Sequence, residues 1–158
     1  AGVRKGSLLR GKLQVVVPLV VVLKLLEFGM CIALPVLLGA PLPNASTATA
    51  WAAYGAAAMI TSLAVASAML LLAALAESQI GVHSLGVAGG FFGIASLFSP
   101  AWLAAMNPFG YFAVLLPYTF TDEGIVPTQP GWAAWCIYIV LLATGFVAAT
   151  RWLNRKEI

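Results

Sequence analysis

Two side chains stand out because their surroundings make them costly. Lys24 and Glu27 are the only charged residues within the apolar stretch from Val15 to Leu38. Three residues apart, they share one face of a helix and can pair. At about 1.5 Å of rise per residue they lie roughly 18–22 Å beyond Lys12. In a membrane that is past the inner headgroups, where each charge costs a few kcal/mol unless paired or hydrated, and ionisable groups at that depth are functional candidates. Three readings follow. The pair serves function or a subunit interface; it is a purely structural contact; or residues 13–26 lie partly in the interface and the true span starts later.

The remaining reactive side chains are few. Cys31 and Cys136 form no C-x-x-C motif, which argues against thiol redox chemistry. A disulfide between them requires Cα atoms within about 7 Å, hence adjacent first and last helices; buried free thiols are the commoner arrangement. His83 is the sole histidine, too little for a metal site, and reads as a surface residue. There is no Ser-His-Asp set, paired-carboxylate constellation, phosphate loop or dinucleotide fingerprint. With so little acid–base equipment, the expectation is a non-catalytic chain with no metal and no cofactor.

The elements that position these residues are set by composition. The chain is 62% hydrophobic and 8% charged, against roughly 25% charged in a soluble domain. No lysine or arginine occurs between Leu25 and Thr150. Spans of about 20 apolar residues cross a bilayer, and four are expected, at about 15–38, 51–76, 85–106 and 132–152. Tryptophans 51, 102, 132, 135 and 152 mark borders, as interfacial belts do. The positive-inside rule puts both termini in the cytoplasm. It leaves Gly39–Ala50 and Asn107–Gly131 outside and Glu77–Ser84 inside. The two basic clusters suit anionic lipid headgroups rather than nucleic acid. The expected fold is therefore an all-α membrane protein, a single transmembrane domain over 1–158, with residues 1–13 as a cytoplasmic basic segment. Asn44-Ala45-Ser46 matches a glycosylation acceptor on the outer side, meaningful only in a eukaryotic secretory pathway.

Within the outer connection, which carries Asp122 and Glu123, Phe109–Leu116 is apolar but too short to cross. Pro108, Pro117, Pro127 and Pro130 break the connection into pieces. Phe109–Leu116 reads as a short outer re-entrant or interfacial element, which must be buried in protein or wetted, or else Phe109–Phe120 lies flat at the outer headgroups. Gly86, Gly89, Gly90 and Gly93 give two overlapping small-xxx-small patterns. Such a face packs closely on another helix, of this chain or of a partner.

The opening AGVRKGSLLRGKLQVVVPLVV and the ending ATRWLNRKEI resemble the permeases of type-two ABC exporters, over their third to sixth spans. The proline-broken outer segment before the last span is similar too. The resemblance implies that Arg4, Lys5, Leu8, Leu9, Arg10 and Lys12 belong to a cytoplasmic coupling helix that docks an ATPase subunit. It implies a second permease subunit, the same or a related chain, and ATP-driven export of a hydrophobic or amphipathic substrate across a bacterial plasma membrane. Such permeases have six spans; four are found here. The alternative is a small four-helix accessory or assembly subunit of a larger membrane complex.

Overall fold

The computed structural model describes residues 5–39, 44–76, 78–121 and 124–156. It is predominantly helical, with helices α1 (Lys5–Leu37), α2 (Ala45–Leu75), α3 (Gln79–Ala95), α4 (Ala101–Met106), α5 (Tyr111–Val114) and α6 (Trp132–Lys156). A 3₁₀ turn, Ser96–Phe98, extends α3. Four stretches are long and apolar enough to cross a membrane: Leu9–Leu37, Ala45–Leu75, Gln79–Phe98 and Trp132–Trp152.

The boundaries have local causes. α1 runs unbroken from the basic end through Pro18 and Pro35 and stops at Gly39, whose φ of 94° suits a residue without a Cβ. From Lys5 onward the basic segment and the first span are thus one helix. α2 starts at Ala45, six residues before the expected span. Asn44 caps it by accepting from the Thr47 amide at 2.9 Å and from the Ser46 hydroxyl, so the acceptor triplet is engaged as a helix cap. Ser78 caps α3, and the helix therefore resumes at Gln79 inside the expected 77–84 turn. The third long helix ends at Phe98 rather than Met106. Pro100 drives Ser99 into extended geometry (φ −99°, ψ 153°), because a residue before proline is pushed out of the helical region.

α2 is the central helix. α1, α3 and α6 all pack on it. Leu9 and Leu71 centre a cluster with Leu13, Leu70, Ala74, Phe146 and Ala149 at the end where α1, α2 and α6 meet. Phe28 of α1 lies over Gly55 of α2, where a Cβ would come within 2.7 Å of its ring. The connection from Asn107 to Gly131 contains an antiparallel hairpin that the sequence reading did not include. It pairs β1 (Tyr118–Thr121) with β2 (Gly124–Pro127) in the register Tyr118↔Pro127, Thr119↔Val126, Phe120↔Ile125 and Thr121↔Gly124. Asp122 and Glu123 lie outside the described residues. Trp51 stacks on Tyr118, centroids 6.0 Å apart, and so ties the hairpin to the first turns of α2.

Candidate functional site

Residues 96–117 do not lie flat on the bundle; they fold back into it. Asn107 starts the return. Its side-chain oxygen accepts from the Phe109 amide at 3.0 Å, closing a local turn. Its amide donates to Ser96 Oγ at 3.0 Å, and Ser96 Oγ donates in turn to the Phe92 carbonyl. Ser96 is buried, so the small network satisfies polar atoms that would otherwise be stranded.

The glycine face of α3 receives this return. A Cβ at Gly89 would sit 2.5 Å from the Phe109 ring, and one at Gly93 2.8 Å from the Phe109 carbonyl oxygen. Gly86 faces Met69 of α2, and a Cβ at Gly90 would meet nothing within 4 Å. The small-residue pattern is thus spent largely on a loop of the same chain, which a helix-to-helix reading does not anticipate. Gly110 is equally constrained, with Ser96 Oγ and the Ala104 carbonyl within 2.7 Å of its missing Cβ.

α6 clamps the segment from the other side. Tyr138 Oη donates to the Pro108 carbonyl at 2.7 Å. Its ring stacks on Tyr111 at 4.0 Å between centroids. Leu115 is fully buried. One helical turn before Tyr138, Trp135 Nε1 donates to Thr61 Oγ1 at 2.9 Å. Thr61, itself fully buried, donates to the Ala57 carbonyl. These polar ties were not found from sequence, because isolated Thr, Tyr and Asn residues in an apolar chain carry no spacing signal.

Lys24 and Glu27 form an ion pair at 2.6 Å, with side chains 24% and 61% exposed respectively. The pair lies near the middle of the Leu9–Leu37 stretch. Lys24 Nζ also sits 5.0 Å from the centre of the Phe112 ring on α5, within cation–π range. The cation therefore joins α1 to the returning segment.

The other expected site residues are dispersed. Leu9 is turned into the core, so its side chain is not displayed to a partner. Arg10 and Lys12 are exposed. Arg4 lies outside the described residues, as do the side chains of Lys5 and Leu8. His83 is exposed on the first turns of α3, with Nδ1 2.7 Å from the Gln79 carbonyl. Cys31 and Cys136 are free and exposed. Among the described residues no three of His, Cys, Asp or Glu gather to hold a metal ion. In comparisons with known proteins, no family model, curated protein or solved structure matches the chain.

Proposed function

We propose that this chain is a transmembrane permease subunit of an ABC exporter, in which ATP hydrolysed by a cytoplasmic partner subunit moves a hydrophobic or amphipathic substrate outward. The observation that carries the reading is the segment folded back between α3 and α6 and held by Asn107, Tyr111 and Tyr138. Irregular backbone at membrane depth is tolerated only where protein or water covers it, and this segment is covered. A basic helical end continuous with the first span would carry force from the ATPase into the bilayer. Both termini lie in the cytoplasm of a bacterial plasma membrane in this reading, with the hairpin outside.

The exposed apolar sides of α1 and α3 also suit a small accessory subunit of a larger membrane complex. Purification of the tagged full-length chain in mild detergent separates the two. Recovery of an ATPase subunit with a phosphate-binding loop is expected. Replacing Arg4 and Lys5 together with Glu should reduce that recovery at least severalfold while membrane insertion is kept, since Arg10 and Lys12 still supply inside charge. An electron-transfer or other large assembly in place of the ATPase would establish the accessory role instead.

A further inference from the structure

A cavity of about 730 Å³ lies between the end of the third span and the neck of the hairpin. That volume is in the range of small-molecule sites. Its two sides differ in chemistry. One is apolar, lined by Leu97, Phe98, Pro100 and Ala101. The other carries Thr119, Thr128 and Gln129. Ser96 and Ala104, both buried, form the deepest part of the lining.

Strand register sets the polar side. Thr119 faces Val126 across the hairpin. The ladder continues one step further to the neck, where the Thr128 amide donates to the Pro117 carbonyl at 2.9 Å. Residues two apart on a strand share a face, so Thr119 and Thr128 stand diagonally on one face, close enough to meet the same small group. The neck is held beside α5: the Gly131 amide donates to the Val114 carbonyl at 2.9 Å, and a Cβ at Gly131 would come within 2.6 Å of the Val114 side chain. Among the described residues no lysine, arginine, histidine, aspartate or glutamate lines the cavity.

We infer that this cavity binds an uncharged amphiphile of the monoacylglycerol class, its hydroxyl-bearing head against Thr119 and Thr128 and its chain along Leu97 and Phe98. The site goes beyond the exporter reading and holds equally for an accessory subunit. The uncharged lining selects the head. An ammonium or a sulfate would give up hydration with no opposite charge to meet it, which is expensive. Glycerol hydroxyls instead trade hydrogen bonds with two threonine hydroxyls and the Gln129 amide, all of which donate and accept. The apolar side selects the chain. Phe98 is 88% and Leu97 51% exposed, so that side runs out onto the surface of the Gln79–Phe98 stretch, which is long and apolar enough to cross a membrane. A lipid-borne molecule uses both sides of the cavity, whereas a free polyol uses only one.

The test is photolabelling of the full-length chain in phosphatidylcholine nanodiscs with a monoacylglycerol that carries a diazirine in its chain. Mapping by mass spectrometry should place the label on residues 96–101 and 113–119. Unlabelled monoacylglycerol should compete. An alkyl sulfate and an alkyltrimethylammonium of equal chain length, and glycerol without a chain, should each compete at least tenfold less well. Thr119→Val and Thr128→Val keep the shape and remove one hydroxyl each, and each should weaken binding about fivefold. Ala101→Phe fills the cavity from the apolar side and should abolish the label. Thr128→Asp places a carboxylate at the head, and preference should shift to the alkyltrimethylammonium. Since Thr119 and Thr128 are exposed and valine suits a strand, the two valine variants keep the test open even if Ala101→Phe fails to fold. Equal competition by the charged amphiphiles or by glycerol, a label spread over the outside of the helices, or labelling unchanged when both threonines are valine would each overturn the inference.

Discussion

Single side chains in this chain act by joining helices that are otherwise smooth. Thr61 is the clearest case. It is fully buried in α2 and accepts from the Trp135 indole on α6. Thr61→Val keeps the shape and removes the acceptor, leaving the indole N–H without a partner. Interhelical hydrogen bonds in membranes are worth about 0.6–2 kcal/mol, so unfolding in a denaturing detergent should shift by about that much. Thr61→Ser should retain most of the stability, and equal loss in both variants would point to packing rather than the hydrogen bond. The Lys24–Glu27 pair behaves differently because each charge depends on the other. A charge left unpaired at membrane depth costs about 2.5–3.5 kcal/mol, whereas replacing both partners with apolar groups is often neutral. Glu27→Leu should therefore lower the folded yield, and Lys24→Met in the same chain should restore it. The pairing could be anticipated from spacing alone. The Phe112 ring under Lys24 could not, since 88 residues separate the two positions in the sequence.

At the scale of elements, the long helices are legible because each is a continuous apolar run whose length matches the helical rise. Their ends were less so. Asn44, Ser78 and Pro100 determine where α2 begins, where α3 begins and where α3 stops, and one residue outweighs a window of hydropathy at each place. The hairpin was hidden by its flanks. Tyr118-Thr-Phe-Thr alternates as a strand does, but Pro117 and Pro127 read as breakers, although Pro127 ends β2 where a missing N–H is tolerated. The apolar run 109–116 left two readings open, flat or re-entrant. Asn107 and Tyr138, which hold it in the bundle, lie outside that run. Tyr138→Phe removes the donor to the Pro108 carbonyl but keeps the stack on Tyr111. Hydrogen exchange over residues 107–117 should accelerate several-fold, with exchange in α1 and α2 unchanged. Gly89→Val forces the Phe109 ring out and should accelerate the same segment more strongly. Phe109→Ala combined with Gly89→Val should recover part of the protection, and failure to do so would mean that the valine disturbs α3 itself.

For the whole molecule, the cation distribution is the strongest constraint, and it concerns orientation rather than shape. Basic residues lie at the two ends of the chain, and none lies between Leu25 and Thr150. In the proposed arrangement four crossings would bring both ends to one side, where the potential of anionic lipids would favour them. The central position of α2 could not be read in this way, because apart from Lys24 and Glu27 the spans are apolar nearly all round and periodicity carries little orientation. Orientation is open to direct measurement. Cys31 and Cys136 are first replaced by Ala so that a single introduced thiol reports. A membrane-impermeant maleimide applied to intact cells should label Ser46→Cys, at the start of α2, and Thr128→Cys, just past the hairpin. It should label Gln79→Cys and Arg155→Cys only after the membrane is opened. Because the four sites alternate along the chain, a single missed crossing would move every later site to the other face. Labelling of Ser46→Cys only from the cytoplasmic side would invert the arrangement. The basic clusters would then face outward and could not dock a cytoplasmic ATPase, so the exporter reading would fail with the topology.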